Sequence, residues 1–159
     1  MNDRKRIKTI RFFILIFIAG LFISGLTAIP LQAELQLLAG FVKSNNLGSW
    51  LTKWILDVQG ALADTGDKYP FLFYGTDWLA FAHFVIAILF IGPLLDPQKN
   101  IWVIQFGMIA CILLIPYALL SGHFREIPLY WRFADCLFGI FGFIILAYIH
   151  KHIHKLNIR

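Results

Sequence analysis

Apolar and polar positions alternate in blocks along the chain. Four long apolar runs stand out, at about 12–29, 76–92, 101–120 and 129–149, each near the roughly 20 residues that a helix needs to cross a bilayer. The stretch 31–68 between the first two is too polar to span, yet it repeats at helical spacing. Leu31, Leu35, Leu38 and Val42 share one face of a first helix there. Trp50, Trp54, Ile55, Val58 and Leu62 share one face of a second, with Ser49 as its N-cap. Tryptophan favours the membrane boundary, so both read as amphipathic helices roofing the spans. The pattern predicts an all-α integral membrane bundle of four transmembrane helices, with an outer amphipathic segment between helices 1 and 2. All of 1–159 then forms a single transmembrane domain.

Punctuation supports these limits. Pro30 ends the first run, and Gly92 with Pro93 ends the second. The turns 96–100 and 121–128 are short, which makes the second, third and fourth helices antiparallel neighbours. Pro116 lacks a backbone donor and should kink the third helix, freeing a carbonyl near Ile112. Gly20 and Ser24 form a small-xxx-small pair that would let another helix approach the first.

Composition agrees with a membrane class. Of 159 residues, 59% are hydrophobic and 14% charged, and the mean hydropathy is +0.73, which leaves little chain for a soluble domain. The net charge of +5 would suggest nucleic acid in a soluble protein, but here the basic residues gather at the ends. Arg4, Lys5, Arg6, Lys8 and Arg11 precede the first run, and His150, Lys151, His152, His154 and Lys155 follow the last. Membrane lipid, not nucleic acid, is the expected partner, and both termini are expected in the cytoplasm. The orientation rests on the termini, because Lys43, Lys53, Lys68 and Arg125 would then lie outside and Lys99 alone in the inner turn. A basic head and apolar core also suit a signal peptide, but no A-x-A site precedes Glu34, so the first run is read as a retained span. Cys111 and Cys136 lie inside apolar runs and form no CxxC motif.

Charge inside the spans changes the picture. At a rise of about 1.5 Å per residue, Asp77, His83, Arg132 and Asp135 fall in the outer half of the membrane, with His123, Arg125 and Glu126 in the loop above. Ionisable groups there cost several kcal/mol unless they face protein or water. Arg132, Asp135, Gly139 and Gly142 form one stripe and Thr76, Ala80, His83 and Ala87 another, both expected to face inward. Part of this has a structural explanation. Thr76 would cap its helix with Asp77 in the first turn, and Arg132 and Asp135, three apart, would pair.

The functional reading makes the outer mouth a pocket. Arg125 and Arg132, with His123 and Glu126, would hold an anionic headgroup, another small anion or a partner helix, as in an accessory or self-associating membrane protein. The competing class is a membrane-embedded hydrolase using His83 as base with Asp77 or Asp135. Asp77, His83, His123 and Asp135 are competent zinc or manganese ligands, so a divalent metal is the one cofactor the residues allow for. No HExxH spacing supports it, and none is assigned. Haem lacks a second histidine at the depth of His83. Cys136 reads as a small packing residue rather than a nucleophile. His150 and His154, at i and i+4, could chelate a metal on a helical tail, but a basic anchoring tail is the preferred reading.

Two segments carry a resemblance. The run 69–83, YPFLFYGTDWLAFAH, and the run 127–136, IPLYWRFADC, look like those of small bacterial four-helix inner-membrane proteins. The resemblance implies a bacterial inner membrane and brings no activity, cofactor or site residue with it.

Overall fold

The computed structural model describes residues 3–45 and 48–156, and every regular element among them is helical. Helix α1 covers Asp3–Ala28, α2 Leu31–Asn45, α3 Ser49–Lys68, α4 Tyr74–Leu89, α5 Ile91–Leu95, α6 Ile101–Phe124 and α7 Leu129–Ile153; a 3-10 turn at Pro70–Phe73 precedes α4. Four stretches, Asp3–Ala28, Pro70–Leu95, Ile101–Phe124 and Leu129–Ile153, are long and apolar enough to cross a membrane. The expected fold class is therefore the observed one: all-α, with four spans and shorter helices between the first two. Outward faces carry side chains that a soluble protein would hide, with Phe124, Tyr117 and Phe138 at 80%, 74% and 70% exposure. Such a surface calls for lipid as its solvent, and helices suit lipid because they satisfy their own backbone groups.

Several boundaries differ from the sequence reading for local reasons. Gly92 and Pro93 do not stop the second span. Pro93 lacks the N–H that would bond Leu89, so α4 ends there, and the chain resumes as α5 with Pro93 in its first turn, where no donor is needed. Helix α6 continues through Pro116 and past the expected end at Leu120 to Phe124. Ser49 is not the cap of α3. Gly48 is, at φ 67°, a conformation that glycine adopts without steric cost, and its carbonyl accepts from both the backbone N–H and the hydroxyl of Thr52.

The chain divides into two compact units, Met1–Gly20 with Ala87–Arg159, and Leu21–Ile86. In the first, α6 and α7 form a close antiparallel hairpin whose seam is made of small residues. Added at Gly139, a Cβ would lie 2.7 Å from the Cys111 carbonyl oxygen; at Gly142, 2.8 Å from Cys111 Sγ; at Gly107, 2.7 Å from the Leu146 side chain. The buried positions of α7, Cys136, Gly139, Gly142, Leu146, Ile149 and Ile153, recur at three and four residues, the spacing of a left-handed helix seam. Ile10 and Ile14 of α1 join Phe90, Ile104, Leu146 and Ile149 in the core, with Phe17 against Phe90 and Phe13 against Tyr148 at ring separations of 4.7 and 4.8 Å.

In the second unit the small residue that matters on α1 is Gly25, not Gly20. Gly20 has open space around it, whereas a Cβ at Gly25 would meet the Phe84 ring at 2.7 Å and the Ala80 carbonyl at 3.1 Å. Helices α2 and α3 pair around Ala39, Val42 and Ile55, with Leu51, Trp54 and Leu56 packed against them. The amide of Gln32 donates to the Leu62 carbonyl at 3.0 Å. Leu37, Phe41 and Trp50 remain exposed, so this hairpin keeps an apolar side of its own.

Candidate functional site

The first unit builds its polar site around the turn between α6 and α7. Helix α6 ends in a Schellman arrangement: the Ile127 N–H donates to the Gly122 carbonyl at 2.9 Å and the Glu126 N–H to the His123 carbonyl at 3.2 Å. The residue that must turn left-handed there is Glu126, at φ 57°, where glycine would be usual. Pro128 then starts α7, its carbonyl accepting from the N–H groups of Trp131 and Arg132.

Arg132 folds back over this turn. Its Nε donates to the Ile127 carbonyl at 2.6 Å, and its stem lies so close to Gly122 that a Cβ there would stand 2.7 Å from Arg132 Cγ and 2.9 Å from Cδ. The glycine near the end of α6 therefore makes room for an arginine instead of ending the helix. Nε and the side-chain stem are fixed, and the two Nη groups have no protein hydrogen bond among the described residues. Arg125, His123 and Glu126 are exposed around the same turn.

Asp135 departs from the expected stripe. The face of α7 that packs runs through Cys136, Gly139 and Gly142, while Asp135 is exposed beside it. Arg132 and Asp135 do not pair, because the arginine is drawn back toward the turn. Cys136 is buried, its Sγ 3.9 Å from the Ile115 carbonyl, in keeping with a packing role.

In the second unit, Asp77 lies in the first turn of α4, where a carboxylate meets the positive end of the helix, and it is exposed. Thr76 does not cap α4, which begins at Tyr74; its hydroxyl donates back to the Phe73 carbonyl at 2.7 Å. The Nδ1 of His83 lies 2.8 Å from the Leu79 carbonyl. A carbonyl can only accept, so Nδ1 is the donor in this contact. Among the described residues no hydrogen bond joins Asp77 to His83. Neither unit brings together three of its described His, Cys, Asp or Glu side chains as a metal site.

The sequence reading missed polar contacts at the other end of the first unit. Gln105 Nε2 lies 3.4 Å from His150 Nε2, which lies 3.2 Å from His154 Nε2. Arg6 donates to the Lys155 carbonyl and pairs with Asp3, while Arg11 Nη2 donates to the Leu95 carbonyl at 2.9 Å. Counting outward from the α6–α7 turn would have found the first of these. Gly122 meets Arg132, Ile115 meets Cys136, Cys111 meets Gly142 and Gly107 meets Leu146, so Gln105 falls opposite His150.

No family model, curated protein or solved structure matches the chain. Fold and site together define a multi-pass helical membrane protein with a structured polar turn between its last two spans.

Proposed function

We propose that the chain is a small binding or accessory protein of a bacterial inner membrane, with both termini in the cytoplasm and the α6–α7 turn facing outward. At that turn Arg132, with Arg125 beside it, binds the phosphate of an anionic lipid headgroup. The observation that carries this reading is the anchoring of Arg132. One guanidinium nitrogen is committed to the Ile127 carbonyl and the stem rests on Gly122, so the remaining donors are held ready at little entropic cost. A planar fork with free Nη groups suits two phosphate oxygens. The basic ends of the chain support the orientation.

The test is lipid retention. The protein is reconstituted in nanodiscs of mixed phosphatidylglycerol and phosphatidylcholine, then extracted gently, and its bound lipid is counted by native mass spectrometry. Phosphatidylglycerol should be enriched several-fold over its share in the disc. Arg132→Leu should reduce that enrichment by about five-fold, near the roughly 1 kcal/mol that one basic residue contributes at an anionic surface. Equal enrichment in the wild type and in Arg132→Leu would dispose of the proposal.

A further inference from the structure

At the end of the α6–α7 hairpin away from its turn, three side-chain nitrogens converge. His150 and His154 stand one helical turn apart, their rings 4.5 Å centre to centre and their Nε2 atoms 3.2 Å from one another. The amide nitrogen of Gln105, reaching across from α6, lies 3.4 Å from the same His150 Nε2. His152, between the two in sequence, takes no part: its Nδ1 bonds the Tyr148 carbonyl at 2.8 Å and its ring stacks on Tyr148 at 4.0 Å.

We infer that His150 and His154 form a binding site for a first-row divalent metal ion, with zinc as its reference occupant. The argument is one of bite. Two nitrogens at about 2.0–2.1 Å from one ion and 3.2 Å apart subtend roughly 100° at it, close to the tetrahedral angle that zinc adopts. In binding one ion both imidazoles take the Nδ1–H tautomer, which leaves each Nε2 lone pair for the metal. Gln105 supplies a third group, since turning its amide by half a rotation places the carbonyl oxygen where the nitrogen stands. Water completes the coordination, because His154 is exposed. An ion held there ties the last turn of α7 to α6.

The experiment titrates zinc alone into the full chain, purified in neutral detergent through a tag that contains no histidine, and follows binding by calorimetry. One ion per chain should bind saturably, and His154→Ala should weaken it at least ten-fold. His154 is exposed and lies just past α7, so its loss leaves the fold intact, as unchanged circular dichroism should confirm. His150→Ala should do the same. His152→Ala should leave affinity unchanged, and Gln105→Leu should lower it a few-fold. Absence of saturable binding below about 1 mM overturns the inference, and so does a His152→Ala variant as impaired as the other two.

Discussion

Glu126 holds a backbone conformation that side chains avoid. At φ 57° its Cβ crowds the following carbonyl, which for an L-residue costs about 1–2 kcal/mol, and the Schellman bonds on either side keep it there. Glycine at this position would remove the strain while adding some entropy to the unfolded chain. Glu126→Gly should therefore stabilise the protein by about 0.5–1 kcal/mol, read as a higher unfolding midpoint in detergent, with Glu126→Asn gaining less. A lower midpoint would mean that the Glu126 side chain contributes something the backbone account omits. Asp96 gives a second prediction at this scale. Its Oδ1 accepts the Lys99 N–H at 3.1 Å and its Oδ2 lies 3.6 Å from the Lys99 ammonium. The backbone hydrogen bond chiefly, helped by that charge, holds the carboxyl below its ordinary value of 3.8. A folded value below the unfolded one favours folding when the group is ionised. The contribution is present above the unfolded value and disappears as pH falls through the folded one. The Lys99 amide resonance should accordingly titrate with a midpoint below 3.8, whereas Asp96→Asn, which keeps the acceptor, should abolish that titration. A midpoint at or above 3.8 contradicts the assignment.

Between helices, the glycines sort themselves by what surrounds them. A Cβ at Gly139 would stand 2.7 Å from the carbonyl oxygen of Cys111, and a backbone oxygen cannot rotate away. Gly139→Ala should push α6 and α7 apart and destabilise the protein by about 1–3 kcal/mol. Gly20→Ala, with nothing within 4 Å, should be neutral or should raise stability by up to about 1 kcal/mol through helix propensity alone. Comparing the two denaturation midpoints separates packing from propensity, and equal effects would break the argument. This contrast also shows what could be read from the chain. Span positions were legible, because 20 apolar residues leave few alternatives to a membrane helix. Gly20 with Ser24 was the wrong small pair, since a small-xxx-small spacing says nothing about which face meets a neighbour; Gly25 packs against Ala80 and Phe84 instead. Similar logic misplaced Asp135. Three-residue spacing put it on the face of Arg132, but the packed face of α7 is set by Cys136, Gly139 and Gly142, and the long arginine reaches the turn from its edge. The position of His123, Arg125 and Glu126 at the turn between α6 and α7 was legible from polarity. Arg132's bond to Ile127 depends on a left-handed residue that was not glycine, and no local signal marked it. Gln105 and His150 required the hairpin register, which a reading of each helix by itself does not contain.

Across the whole chain, the question with most leverage is which side of the membrane each end of the α6–α7 hairpin faces. Ser44, late in α2, and Gln98, between α5 and α6, are both exposed, and one candidate span separates them in sequence, so the proposed topology expects them on opposite sides of the membrane. Cys111 and Cys136 are buried and should react slowly with a thiol probe, and replacing both by serine or alanine removes even that background. In intact cells, the proposed orientation expects Ser44→Cys to label with a membrane-impermeant maleimide and Gln98→Cys to label only after the membrane is opened. Labelling of both from outside would break the four-crossing topology, and the reverse pattern would invert it. The result reaches further than topology, because Gln98, Arg132 and His150 belong to one compact unit. The turn at Gln98 and the tail at His150 lie on one side of the spans, and Arg132 lies on the other. If Gln98 is shielded, Arg132 meets the outer leaflet, where its free guanidinium edge can reach headgroups, and the histidine pair samples the metals of the cytoplasm. If Gln98 is labelled from outside, both binding proposals exchange compartments while their geometry stands unchanged.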